Sequence, residues 1–302
     1  MGMTFPERIS IVEVGPRDGL QNESTVIPLD VKLALIQQLA QAGLKVIEAG
    51  SFVSARWVPQ MADSDQLLQR LTQQPDIRYP VLTPNIQGFE AALQAGAKEV
   101  AFFAAASESF SQKNINCSID DSFDRLELIM SRARDLSIPV RGYVSCVMGC
   151  PYEGDISVDA VAKVAARLHQ MGCYEVSLGD TIGTGNPKLA SEMVEAVSQS
   201  MPVENLAVHF HDTYGQALAN ILATLELGVS TIDSAVAGLG GCPYAQGATG
   251  NVATEDVVYM LDGMGIHTGV DLTNLISAGR MISTYLGHEP RSKAASAILK
   301  KQ

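Results

Sequence analysis

The sequence predicts an α/β fold, a (β/α)8 barrel with additional C-terminal helices, and three observations carry that prediction. Short apolar runs rich in β-branched residues alternate with stretches of helical periodicity, eight times in succession. The return from helix to strand repeats a motif: Gln41-Ala-Gly-Leu44, Gln94-Ala-Gly-Ala97, Gln170-Met-Gly-Cys173 and Glu226-Leu-Gly-Val229 each offer a glycine to end a helix. An open doubly wound sheet, the rival, carries Gly-x-Gly-x-x-Gly after its first strand. Here that position reads Gly15-Pro-Arg-Asp-Gly19, and the chain has no Gly-Lys dipeptide on which to build a phosphate loop. Strands without polar alternation imply a parallel sheet covered by helices, and eight units suffice to close a TIM barrel of roughly 250 residues.

Taken in order, Ile9–Val14 is β-branched and stops at Gly15-Pro16, a strand and its turn. Leu29 to Ala42 has apolar residues at helical spacing, with Gly43 as the stop. Val46-Ile-Glu-Ala49 is the second strand, and Leu67, Leu68 and Leu71 mark the next helix. Further strands are expected at 79–82, 99–104, 140–147, 175–178, 206–211 and 231–235. Further helices are expected at 86–95, 120–136, 158–171, 187–200, 215–227 and 254–264, with one or two more from 271 to 287. The catalytic domain is therefore drawn over residues 1–287, with a loose polar tail at 288–302.

Charge and composition exclude several functions. A net charge of −12 disfavours nucleic acid and anionic membranes as partners. No apolar run approaches the ~20 residues of a membrane span. The five cysteines, 117, 146, 150, 173 and 242, are irregularly spaced and read as free thiols in a reducing compartment. Neither a secretory signal nor a transit peptide is recognisable at the start, so a cytoplasmic protein is expected.

Reactive groups of such a barrel gather at the C-terminal ends of its strands. Arg17 and Asp18 follow the first strand, Glu48 ends the second, Arg141 and Ser145 lie on the fifth and Asp180 follows the sixth. The sharpest signal is Val208-His-Phe-His-Asp212, because residues two apart on a strand share a face. His209 and His211 thus form a pair of metal ligands at the end of strand seven. Asp18 is the natural third, since strands one and eight are neighbours in a closed barrel, and Asn251 offers a fourth oxygen. This mixed nitrogen and oxygen set suits Mg2+, Mn2+, Zn2+ or Fe2+.

The stretch from Ser234 to Asn251 holds five glycines, 238, 240, 241, 247 and 250, together with Cys242. A segment so rich in glycine is costly to order, and a flap closing over a ligand accounts for it. A thiol titrating near ~8.5 can serve there as acid, base or nucleophile. Arg17 beside a metal would stabilise an oxyanion or enolate, with a rim salt bridge as the plainer account. Glu48, on an apolar strand, needs a polar partner. Asp180 is either a chemical group or a helix-capping residue.

Glu13-Val-Gly-Pro-Arg-Asp-Gly-Leu-Gln-Asn22, Glu48-Ala-Gly-Ser-Phe-Val53, Gly179-Asp-Thr-Ile-Gly183, His209-Phe-His-Asp-Thr213 and Val236-Ala-Gly-Leu-Gly-Gly-Cys-Pro-Tyr-Ala245 together resemble the 3-hydroxy-3-methylglutaryl-CoA lyase family. The likeness runs from Ile9 to about Leu286, without departure in these motifs. It implies cleavage of 3-hydroxy-3-methylglutaryl-CoA into acetyl-CoA and acetoacetate, a reaction of leucine breakdown and ketone-body formation. It implies Mg2+ or Mn2+ held by Asp18, His209, His211 and Asn251. Catalytic roles then fall to Arg17, Cys242, Asp180, Glu48 and His209, and substrate contacts to Arg17, Gln21, Ser51, Arg141 and Ser145. A homo-oligomer, dimer or tetramer, is also implied. Animal mitochondrial members carry a transit peptide and a regulatory C-terminal cysteine. This chain shows neither, so a bacterial-type cytoplasmic form is expected. The CoA arm would need cations; Arg56, Lys113, Arg291, Lys293, Lys300 and Lys301 are candidates that spacing does not choose between. The alternatives are a lyase acting on a longer 3-hydroxyglutaryl thioester and a related condensing aldolase. A non-haem iron oxygenase would leave Cys242 and its loop without a purpose.

Overall fold

The structure, a computed structural model, describes residues 5–241 and 250–301. Nine strand segments form one sheet: β1 (Ser10–Glu13), β2 (Val46–Ile47), β3 (Gly50–Ser51), β4 (Val81–Leu82), β5 (Val100–Ala105), β6 (Val140–Ser145), β7 (Val176–Asp180), β8 (Leu206–Phe210) and β9 (Thr231–Ser234). All named pairings are parallel, in the order β2-β1-β9-β8-β7-β6-β5-β4-β3. The two end segments, β2 and β3, are successive pieces of one strand parted by Glu48 and Ala49. Across the break Glu48 N donates to Glu13 O on one side and Ala49 N to Pro80 O on the other, both at 2.9 Å. The ladder therefore returns on itself, and the fold is α/β and TIM-barrel-like.

Helices α1 (Leu29–Gln41), α2 (Ser64–Arg70), α3 (Ile86–Gln94), α4 (Glu108–Ile115), α5 (Ile119–Leu136), α6 (Val158–Met171), α7 (Pro187–Ser198), α8 (Ala217–Leu225) and α9 (Thr254–Gly263) follow the strands. Their ends obey local rules. Asn85, Ser157 and Asn186 accept from the backbone N–H three residues on, and Ser118 with Asp121 makes a reciprocal capping box. Gly172, at φ +108°, ends α6 in the left-handed region.

The strands sort their side chains by face. Val144, Leu178, Val208 and Phe210 join the large core beneath the helices. The alternate positions look inward: Leu82, Ala101 and Tyr143 pack together, with Phe103 against them. The register sets His209 beside Gly179 on one side and Asp233 on the other, so polar residues of neighbouring strands meet inside the barrel.

Three elements differ from the sequence expectation. The second strand is split at Glu48. Helix α4 was not foreseen; Ser107 caps it by accepting from Phe110 N at 3.0 Å, and Asn116 ends it at φ +51°. The tail is not loose. After α10 (Leu272–Leu286), residues Lys293–Leu299 form α11. Ser292 accepts from Ala295 N and donates to Asp256 Oδ1 at 2.7 Å, while Asp256 also accepts from Lys293 N and Ala294 N. The polar residues that read as tail are the cap that docks this helix on α9. Among the described residues no helix is long and apolar enough to cross a membrane.

Candidate active site

The site begins with a turn. After β1 the N–H groups of Arg17, Asp18 and Gly19 converge on Val14 O, at 3.1, 2.7 and 3.2 Å, in a single π turn over Gly15–Gly19. Pro16 has no N–H to satisfy. Glu13 braces the turn from behind. It accepts from Gly15 N and Val236 N, both at 2.8 Å, and from Thr254 Oγ1 at 2.7 Å. Burial pushes this carboxyl up to about 7, with its three donors pulling the other way.

The turn sets Arg17 and Asp18 on a cavity of about 250 Å3 at the strand ends, lined also by Gln21, Tyr143, Ser145, Thr181, His209 and His211. Arg17 gives Nε to Glu48 Oε2 and Nη1 to Asp18 Oδ1, both at 2.7 Å. Burial works against its charge, but Glu48 and then Asp18 outweigh that and hold it protonated. Burial conversely raises the Glu48 carboxyl, against the pull of Arg17. Burial alone would also raise Asp18; the charges of Arg17 and the two histidines bring it down to about 2.

Asp18, His209 and His211 each place a ligand atom within 4.8 Å of the others. His209 is oriented by a second carboxylate: its Nδ1 lies 3.3 Å from Asp233 Oδ2, which leaves Nε2 3.8 Å from Asp18 Oδ2. Burial would lower His209, but Asp233 and Asp18 reverse this and its pKa is raised. His211 is lowered to about 4, by burial and then by His209. Its Nδ1 is buried with no hydrogen-bond partner among the described residues. Two imidazoles 5.5 Å apart facing a carboxylate, one bearing an orphaned nitrogen, fit a divalent cation. Asn251 joins the cluster by donating Nδ2 to Asp18 Oδ2 at 2.8 Å and to Leu239 O at 3.2 Å.

Other expected site residues fall elsewhere. Arg141 does not line the cavity. It is fully enclosed within the barrel, bound to Asp233, Glu175 and the Tyr143 hydroxyl, because it sits early on β6 rather than at its end. Ser51 faces a separate cleft between α2 and α3, since the strand has turned at Glu48 and Ala49. Glu48 reaches the cavity only through Arg17. Asp180 is the last residue of β7 and is buried beside the cavity, not on it; its Oδ2 accepts from Gly185 N at 2.9 Å and so closes its own loop. Burial raises it to about 6. Gln21 and Ser145 are on the cavity wall. Cys242 lies outside the described residues.

Sequence reasoning missed Asp233, Tyr143 and the apolar wall of Leu82, Phe103 and Phe110. An aspartate in Thr231-Ile-Asp-Ser234 carries the same signal as Glu48, a carboxylate on an apolar strand. Leu82, Phe103 and Tyr143 carry no such mark, because inward and outward residues look alike in a buried parallel strand, and Phe110 lies on the unforeseen α4.

The HMGL-like family model matches residues 8–282. The chain belongs to the HMGL-like family. Its likeness to members extends over whole chains. It is 61% identical over 293 residues to the mitochondrial hydroxymethylglutaryl-CoA lyase of Gallus gallus, covering 97% of this chain and 98% of that one. The crystal structure of hydroxymethylglutaryl-CoA lyase from Pseudomonas aeruginosa superposes with a TM-score of 0.97 at 57% identity, covering 99% of both chains. An HMG-CoA lyase from Acinetobacter baumannii, solved in complex with coenzyme A and 3-methylmalate, gives 0.93 at 38% identity, covering 98% of this chain and 97% of that one. This HMGL-like chain thus shares fold and length with lyases from distant organisms.

Proposed function

We propose that this chain is a metal-dependent carbon–carbon lyase that cleaves (S)-3-hydroxy-3-methylglutaryl-CoA into acetyl-CoA and acetoacetate. The observation that carries the reading is the Asp18, His209 and His211 cluster facing Arg17 across one cavity, in a chain matching such lyases along nearly its whole length.

Asp18, His209, His211 and Asn251 would hold Mg2+ or Mn2+. Such an ion acts as a Lewis acid on the substrate hydroxyl and is worth several kcal/mol of charge stabilisation. In the reaction the hydroxyl loses its proton, the C3 oxygen becomes the ketone of acetoacetate and the C2–C3 bond breaks. Its electron pair passes into the thioester enolate, which is then protonated on carbon. Arg17 is placed to hold the enolate oxygen: Nε and Nη1 are taken by Glu48 and Asp18, while Nη2 has no protein partner among the described residues. Glu48 acts as its anchor. Proton transfer falls to Cys242, His209 and Asp180, of which His209 lines the cavity and Asp180 stands behind it. Gln21 and Ser145 meet the substrate from the wall, and Leu82, Phe103 and Phe110 receive its C3 methyl. Cytoplasmic residence belongs to the same reading, and light scattering of the purified chain would test the expected homo-oligomer.

The deciding experiment incubates metal-stripped protein with 3-hydroxy-3-methylglutaryl-CoA, with and without Mg2+ or Mn2+, and follows acetoacetate, with Cys242→Ser alongside. Metal-dependent product that nearly vanishes in the variant is expected. No product with either metal would sink this substrate.

A further inference from the structure

The base of the glycine-rich stretch is held by a residue from the far end of the chain. Ala237, Gly238 and Gly240 have φ of +57°, +64° and +96°, left-handed positions on either side of Leu239 at φ −58°. Buried carbonyls need donors. Gly240 O takes one from Gly250 N at 3.1 Å and a second from Arg291 Nη1 at 2.9 Å. The same nitrogen stands 3.4 Å from Gly238 O, and Arg291 N donates to Ala237 O at 2.9 Å. That Nη1 also lies 3.8 Å from Glu23 Oε1, on the segment that follows the Gly15–Gly19 turn. Gly240 is in turn wedged into the metal cluster: a Cβ there would lie 3.0 Å from Asn251 Nδ2 and 3.3 Å from Gly19 Cα. Asn251 bonds Asp18.

We infer that Arg291 is a positioning residue for the site. It clamps the carbonyls of Ala237, Gly238 and Gly240, so that Gly240 holds Asn251 against Asp18. Arg291 does not line the cavity. Its backbone N–H and its Nη1 go to peptide oxygens, a structural use that composition alone did not suggest. The kinetic half of the inference rests on the lyase reading above.

The test compares Arg291→Met and Arg291→Lys with the wild-type full-length chain. Turnover and KM for 3-hydroxy-3-methylglutaryl-CoA are measured, together with Mn2+ affinity by paramagnetic resonance and amide exchange over 237–241 and 250–252. For Arg291→Met we expect kcat to fall about ten-fold, as for a small misplacement of reacting groups. KM should stay within about two-fold, Mn2+ should bind more weakly, and the Gly250 amide should exchange faster. Arg291→Lys keeps a donor and should recover part of each loss. A raised KM with unchanged kcat would make Arg291 a substrate contact and overturn the inference, as would unaltered Mn2+ binding and exchange. If the wild-type chain fails to cleave the thioester, the lyase reading falls alone, because Mn2+ affinity and exchange still decide the clamp.

Discussion

Arg141 spends every guanidinium nitrogen on protein: Nε on Glu175, Nη1 on Tyr143 and Asp233, Nη2 on Asp233. Arg17 spends two of three, on Glu48 and Asp18. Both look onto the ring of Tyr143, at 4.9 and 5.7 Å from its centroid. The difference is height along the barrel. Arg141 is the second residue of its strand, enclosed by neighbouring strands, so every donor needs a protein acceptor. Arg17 lies past the end of β1 on a turn, where one edge of the guanidinium still faces a cavity. The same residue type is thus fully bonded on the floor and keeps an open edge at the mouth.

The strongest way to break this contrast is Arg17→Gln. Losing a donor to developing negative charge costs about 10²–10³-fold in turnover, and kcat should drop at the upper end of that range because a charge is lost as well. Mn2+ affinity should change little, since Asp18, His209 and His211 remain. Comparable losses in both would mean that Arg17 organises the metal cluster and does not act on substrate.

Arg141→Met should fail differently. It strands Asp233 and Glu175 without their cation, and removing one partner of a buried ion pair costs about 3–5 kcal/mol. Chemical denaturation should report that loss. A variant as stable as wild type but inactive would move Arg141 back among the substrate contacts, where sequence placed it.

Asp233→Asn probes the bond between floor and mouth. Asp233 is shared by Arg141, Ser177 Oγ at 2.7 Å and His209 Nδ1. Neutralising a carboxylate behind a ligand histidine weakens metal binding about 10- to 100-fold. Calorimetric titration with Mn2+ checks this, and unchanged affinity would show that His209 does not need its second carboxylate.

Height along the barrel also explains what could be read from sequence. The strand and helix alternation is a periodic signal, and it placed most of the elements. His209-Phe-His211 was legible because a two-residue spacing fixes a shared face, and Asp18 followed from the neighbourhood of strands one and eight. Arg141 was misplaced because sequence gives a strand's residues but not how deep each one sits in a barrel whose strands are tilted and staggered. Ser51 lines another cleft for a related reason. The split after Ile47 re-aims the strand, and nothing in Glu48-Ala-Gly-Ser51 announces it. The clamp at Arg291 was out of reach, since it joins residues about fifty apart through backbone carbonyls that carry no side-chain signature.

The smallest expected effect concerns the aspartate pair that mirrors the two arginines. Asp18, at the mouth among cations, is drawn down to about 2, whereas Asp180, behind the wall, is raised from 3.8 to about 6 by burial. A carboxyl whose folded pKa lies above its unfolded value favours folding most when protonated. Its contribution is complete below pH 3.8 and is lost as pH rises through about 6. Asp180→Asn keeps an acceptor for Gly185 N and cannot ionise. It should therefore match wild type near the acid end and exceed it at neutral pH by on the order of 1 kcal/mol, the scale of one desolvated polar group. Denaturant midpoints taken across that window measure the gap directly. A gap that closes or reverses as pH rises would show that Asp180 is ionised and favourably held throughout, with Oδ1, which has no partner among the described residues, turned towards a cation and not merely shut away behind the wall.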